Sequence, residues 1–197
     1  YRLKLYHYHD IVRQCGFKVI KKYVKRFVDD EGVMTTKANA DMDLAIDALQ
    51  QARNLDRIIL LTGDSDFIRL VIALQNMGCR VEVIGFNNVS QDLKEAADSY
   101  ISGFLIPGLL PLASEASRRQ RGTPAKYNQD RGFGFMRYYI LAEQGLQTET
   151  VFFHCSKSNV ANDVVFLDPG NIFEFDIVQN PENNDRTEAL NITLLET

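Results

Sequence analysis

No apolar run in the sequence approaches the roughly 18 residues of a membrane span, and no signal peptide is expected. The expectation is a cytoplasmic protein without a membrane anchor. Cysteine is scarce: Cys15, Cys79 and Cys155 form an odd, widely spaced set that gives neither a disulfide framework nor a metal-binding pair, and a reducing compartment suits it. Positive charge is not in excess either. A formal net charge of −4 excludes a protein that coats nucleic acid by bulk charge, so any such contact falls to local patches and stacking. With 197 residues, 45% of them hydrophobic, the chain can bury one good core or two small ones.

What is present is organised around residues 58–67, IILLTGDSDF. Ile58, Ile59, Leu60 and Leu61 make a short aliphatic run without polar alternation, the pattern of a strand buried on both faces. From Asp66 onward Phe67, Leu70, Val71, Leu74 and Met77 recur at helical spacing, with Gly78 placed to cap the C-terminus. Asp64 and Asp66 therefore fall between a strand and the next helix, the edge of an open α/β sheet where ligands bind. The plain alternative makes Asp66 an N-cap and Asp64 part of a tight turn. The preceding segment, KANADMDLAIDAL at 37–49, reads as a helix entered through Asn39, with Met42, Ala45, Ile46 and Leu49 as its apolar stripe and Asp41 in its first turn. A right-handed crossover brings that turn to the same edge as Asp64 and Asp66. Three carboxylates at one place call for a hard divalent cation, Mg²⁺ or Mn²⁺, which takes oxygen ligands and leaves room for a phosphate.

The order KANADMDLAIDAL, LDRIILLTGDSDF, LVIALQNMGCRVEVIGF and SQDLKEAADSYI resembles the NYN domains of the LabA-like group, within the wider PIN-like nuclease fold. The resemblance covers residues 1–106. It implies an α/β, doubly wound and mostly parallel sheet, a divalent metal held by clustered aspartates, and hydrolysis of RNA. The positions that match are Asp41, Asp64 and Asp66, with Asp43 and Asp47 as further candidates. Asp47 lies six residues beyond Asp41, about 9 Å along a helix, so sharing one metal depends on how the helix is turned. Domains of this type open on a central strand ending in an aspartate, which has no counterpart here. Either the natural protein carries further N-terminal residues or the site lacks one carboxylate; the expectation is the former.

Residues 1–9, YRLKLYHYH, read as a strand, with His7 and His9 on one face but without a third ligand for zinc. Residues 17–27 alternate as a second strand carrying Lys18, Lys21, Lys22, Lys25 and Arg26, and residues 29–32 read as a turn. A basic strip of this kind is either a solvated face or a grip on a phosphodiester backbone; Lys22, Lys25, Arg26 and Lys37 are the phosphate-contact candidates. After Gly78 come a strand at 80–86, a short helix capped by Ser90 and running through Tyr100, and a closing strand at 101–106. Pro107 and Pro111 open a linker over 107–121, in which Arg118, Arg119 and Arg121 are either solubilising or a grip on RNA.

Beyond residue 122 strand signals replace helix signals. In RGFGFM (131–136) Phe133 and Phe135 project from one face with Gly134 between them; in VFFHCS (151–156) Phe152 and His154 do the same, and Val151 and Phe153 fill the core side. Rings so placed stack on bases for about 1–3 kcal/mol each. GTPAKYNQDRGFGF, VFFHCS and PGNIFEFDIVQNPENNDRTEALNITLL together resemble a cold-shock domain, a small all-β, five-stranded OB-type barrel that binds single-stranded RNA or DNA. The resemblance covers residues 122–195 and implies base stacking by Tyr127, Phe133, Phe135, Phe152 and His154, with Lys126 and Arg131 beside them. Lys126 stands where the family usually has tryptophan and Cys155 where phenylalanine is common, which removes two rings.

The expected function is a metal-dependent endoribonuclease whose barrel holds a single-stranded segment while the N-terminal sheet cuts it. The alternative is a non-catalytic adaptor on RNA, the ribosome or tRNA, with a degenerate nuclease-like domain. A GDSL-type esterase reading of Gly63-Asp64-Ser65 lacks its partner: only His154 lies downstream, without an aspartate three residues before it.

Overall fold

The chain enters through a helix, not a strand: α1 spans Arg2–Gln14. A short stretch of alternating Tyr and His fits period 2 as well as period 3.6, and the decisive signal is its end. Gly16 adopts φ +88°, the Gly16 N–H donates to Arg13 O (2.9 Å) and the Phe17 N–H to Val12 O (3.2 Å), a glycine-terminated helix. On a helix, His7 and His9 are about 200° apart, which removes the shared face that a zinc reading needs. The computed structural model describes residues 2–21, 25–28, 34–37, 40–110, 119–180 and 183–195. The chain divides into two compact units, Tyr1–Leu55 and Asp56–Thr197.

In the first unit, residues 17–20 do not form the expected strand; among the described residues of that stretch Lys25–Val28 does (β1), paired antiparallel with β2 (Met34–Lys37), a strand not expected from the sequence. The turn expected at 29–32 and the helix entry at Asn39 lie outside the described residues. Helix α2 (Asp41–Gln51) has Asp41 and Asp43 in its first turn and buries none of its residues, so the stripe of Met42, Ile46 and Leu49 stays exposed.

The second unit begins with a parallel sheet in the order β3 (Arg57–Leu61), β4 (Arg80–Gly85), β5 (Ser99–Ser102), crossed by α3 (Ile68–Asn76) and α4 (Gln91–Ala96). Leu60, Leu70, Val71, Leu74, Val81, Val83 and Leu93 are buried together with Phe67 and Cys79. Gly78, at φ +91°, ends α3 as expected. Strand β3 is a correction. It lies at the end of this sheet, and only Leu60 is buried; Ile59 and Leu61 are 49% and 64% exposed. The helix after Ser90 stops at Ala96, and Asp98, just before β5, is tied to β4: its N–H donates to Val81 O (2.9 Å) and its carboxylate accepts the Val81 N–H (2.7 Å). Tyr100 therefore sits on β5, and the sheet closes at Ser99–Ser102 instead of 101–106.

Glu82 on β4 ties the two strands, accepting from Arg57 Nη2 and Arg80 Nε at 2.8 Å each. The hydrogen bond from Arg57, then that from Arg80, holds its carboxyl below the usual value of 4.5. A depressed folded pKa gives stability that is present above the unfolded value and lost as pH falls through the folded one. Melting temperature is thus expected to fall as pH drops below about 4.5, and to fall less steeply in Glu82→Gln, as thermal denaturation across pH 7 to 3 would read.

The remainder of this unit is a closed five-stranded barrel in the order β10-β8-β7-β6-β9, from β6 (Gln120–Asn128), β7 (Phe133–Ala142), β8 (Gly145–His154), β9 (Phe173–Asn180) and β10 (Asn183–Leu194). All pairs are antiparallel except β10 with β8. This mixed closure matches the OB-type barrel read from the sequence. Met136, Val151, Phe153, Phe173, Phe175, Ala189 and Ile192 fill it, and Phe166 plugs it from the 3₁₀ segment Asp163–Leu167. Arg119 and Arg121, read as linker, belong to the barrel: Arg121 pairs with the buried Glu174 (2.8 Å), while Arg119 donates to the backbone of Glu174 (2.6 Å) and Asn191 (2.7 Å). Both guanidinium groups are occupied by this scaffold, which removes the proposed grip on RNA; Arg118 lies outside the described residues.

Candidate metal-binding loop and nucleic-acid interface

The parallel sheet ends its strands at one edge, and the loop after β3 lies there. Asp64 leaves the strand in extended conformation (φ −82°, ψ 124°) and caps the 3₁₀ turn Ser65–Phe67: its Oδ1 accepts the Asp66 N–H at 2.9 Å, and its own N–H donates to Thr62 Oγ1 at 3.2 Å. The N-cap is thus Asp64, not Asp66. The loop is fastened to the end of β4, where the Thr62 N–H donates to Ile84 O (3.1 Å), and to the start of α4, where the Ser90 N–H donates to Gly63 O (3.4 Å). Both carboxylates are exposed. Oδ1 of Asp64 keeps a lone pair beyond its capping bond and its second oxygen keeps two, so these hard oxygen donors fit Mg²⁺ or Mn²⁺, which retain water in their shells. Among the described residues, no three His, Cys, Asp or Glu side chains gather as a metal-holding group.

On the barrel, Phe133 stands opposite His154 and Phe135 opposite Phe152 across β7 and β8. Their outer face is open: Phe135 is 40% and Phe152 36% exposed, with ring centroids 5.9 Å apart edge to face, and Phe133 lies 5.9 Å from Phe152. His154 Nδ1 accepts the Ser156 N–H (3.2 Å), fixing its ring at the platform end. Gly134 is required between the two phenylalanines, because a Cβ there would collide with Lys126 O and the Phe153 ring. Lys126 pairs with Phe135 and is exposed, as is Arg131 in the turn before β7.

Tyr127 is the correction. It pairs with Gly134, on the inner face, where its ring stacks 5.7 Å from Phe153 and its hydroxyl donates to Asp163 Oδ2 at 2.8 Å. Burial, then the bond to Asp163, pushes the phenol up, so it stays a donor at neutral pH. Adjacent strand residues point to opposite faces, so Lys126 and Tyr127 cannot both line the platform.

The family model described as NYN domain matches residues 2–110, more than half of the chain. The chain belongs to the NYN domain family. This family has a PIN-like, RNA-related nuclease fold, in keeping with the parallel sheet and its crossover helices. The chain is 28% identical over 97 residues to the low amplitude and bright protein LabA of Synechococcus elongatus, an alignment covering 48% of this chain and 52% of that protein. It is also similar to a crystal structure of a protein of unknown function from Vibrio parahaemolyticus, with 33% identity, coverage of 50% of this chain and 60% of the other, and a TM-score of 0.43. The chain spans about half the length of the curated relative it matches.

The other NYN-domain candidates divide between the units. Asp41 and Asp43 open α2 in the first unit, while Asp64 and Asp66 belong to the second. Asp47 accepts from Lys18 Nζ at 2.8 Å, so this further metal candidate already has a cation. Lys25 pairs with Lys37 and Arg26 with Thr36 across the hairpin, which places three basic positions on two short strands; Lys22 lies outside the described residues. Within the second unit, a concavity of about 460 Å³ runs from the segment after β4 (Phe86, Asn87), α4 (Lys94) and β5 (Tyr100) to the barrel (Thr123, Tyr139). It joins residues remote in the chain, so no local sequence pattern marks it. No helix among the described residues is long and apolar enough to cross a membrane.

Proposed function

We propose that the chain is a metal-dependent endoribonuclease acting in the cytoplasm, with Asp64 and Asp66 as metal ligands and the barrel as its holder of single-stranded RNA. The observation that carries this reading is the pair of exposed carboxylates at the strand ends of an NYN sheet, in the same compact unit as a barrel with an open ring platform. Bound Mg²⁺ or Mn²⁺ supplies an activated water and neutralises charge on the scissile phosphate. The protein's own part is positioning. Phe133, Phe135, Phe152 and His154 stack on bases as in a cold-shock-like barrel, Lys126 and Arg131 take phosphates beside them, and the Lys25, Arg26 and Lys37 hairpin, with Lys22, attracts the backbone.

A second reading, an RNA-binding adaptor without catalysis, is favoured by the engagement of Asp64 as a helix cap, a structural duty that needs no metal. The two separate on one assay: end-labelled single-stranded RNA incubated with Mn²⁺, with Mg²⁺ and with EDTA. The nuclease shortens the RNA in either metal and leaves it whole in EDTA. RNA that stays intact in all three while still bound selects the adaptor.

A further inference from the structure

The geometry points to a guanine-selective base site at the β10 end of the ring platform, a deepening that rests on the reading of the barrel as a holder of single-stranded RNA. Strand registers put Lys126 opposite Phe135, Phe135 opposite Phe152, and Phe152 beside Glu188. One row thus crosses β6, β7, β8 and β10 in the order cation, ring, ring, carboxylate. It spans three strand spacings, about 14 Å. A nucleotide lying along it with its base on the rings has a cation at one end for phosphate and a carboxylate at the other for the base edge.

Glu188 is the unusual member. It is only 4% exposed, although acidic side chains are rarely buried without strong partners. Lys157 Nζ donates to Oε2 at 2.7 Å, and among the described residues Oε1 receives no donor. A purely structural ion pair would explain Oε2 alone. The carboxylate also lines a concavity of about 470 Å³ with Phe135, Thr150, Phe152, Arg186 and Thr187, so its surroundings are a ring platform, two hydroxyls and a guanidinium.

An ionised carboxylate only accepts hydrogen bonds. In splayed single strands the bases are read on their Watson–Crick edges, and of the four edges guanine alone offers two adjacent donors, N1–H and the N2 amino group, beside an acceptor, O6. Glu188 matches the two donors, and the cations beside it, Lys157 and Arg186, match O6. Uracil presents a single N–H between two carbonyl oxygens, which a carboxylate repels. Adenine and cytosine each set a ring acceptor beside their amino group. A site built to hydrogen-bond a donor discriminates sharply against a base that lacks it.

The test measures binding of the full chain by fluorescence anisotropy in EDTA, so that cleavage does not enter. The probes are an oligouridine and the same oligonucleotide carrying one central guanosine or one central inosine, which lacks the N2 amino group. The unchanged protein is expected to bind the guanosine probe at least about tenfold more tightly than oligouridine, with inosine between them. In Glu188→Gln that advantage shrinks to about twofold or less, whereas Phe152→Ala weakens all three probes together. Equal binding of guanosine and uridine probes by the unchanged protein overturns the base assignment and leaves the RNA reading standing, as does a Glu188→Gln variant that keeps the full preference. The inosine arm requires no variant and so does not depend on one folding. If no probe binds, the barrel reading itself falls, and the guanine site with it.

Discussion

Asp64→Asn is expected to lower Mn²⁺- or Mg²⁺-stimulated RNA shortening by more than about a hundredfold, since loss of even an outer-shell partner of a metal ligand costs 10–100-fold. The substitution separates chemistry from structure because of what Asp64 does locally. Its Oδ1 accepts the Asp66 N–H as the cap of the 3₁₀ turn, and asparagine caps about as well as aspartate. The turn and helix α3 behind it therefore survive, and only the charge and one hard oxygen ligand are lost. Asp64→Ala gives the same loss of cleavage with an added cost of about 1 kcal/mol in stability from the missing cap. An Asp64→Asn protein that cuts as fast as the original would sink the nuclease proposal.

Two neighbouring phenylalanines on β8 should respond in opposite ways. Phe153 is wholly buried, with ring centroids 5.7 Å from Tyr127 and 4.8 Å from Phe166, so Phe153→Ala leaves a cavity among large rings and is expected to destabilise the barrel by about 3–5 kcal/mol. Phe152 points the other way and keeps a third of its surface in water. Phe152→Ala should change denaturation midpoints little but weaken single-stranded RNA binding by about 1–3 kcal/mol, the worth of one stacked base. Urea denaturation beside a binding titration would read both. If Phe152→Ala unfolds the barrel, or leaves affinity untouched, the face assigned to RNA is the wrong one.

The acidic loop was legible because its signals are local. An aliphatic run, Gly63, two aspartates and a stripe ending at a left-handed Gly78 each specify backbone within a few residues. What surrounds β3 was not legible. A continuous apolar run cannot say which face is covered, and Ile59 and Leu61 are open where two-sided burial was expected. Arg119 and Arg121 looked like linker because their partner, Glu174, is more than fifty residues away. Tyr127 is different in kind. Alternation alone turns it inward once Lys126 faces out, so its place was legible from the strand period. The entry helix was mistaken because Tyr and His alternate over too few residues to fix a period, while the stop at Gly16 was there to be used.

The barrel closes through pairs that are far apart in the chain: β6 with β9, and β10 with β8. The β7–β8 hairpin, by contrast, is joined across Glu143 and Gln144 and needs no distant partner. Loop-closure entropy delays contacts of long sequence separation, so the hairpin is the early element of folding and the seating of β10 the late one. Phe135 and Phe152 thus face each other before the wall that carries Glu188 exists. An unfinished barrel already presents sticky rings without the carboxylate beside them, and the nascent chain is most prone to indiscriminate association in the interval before β10 docks.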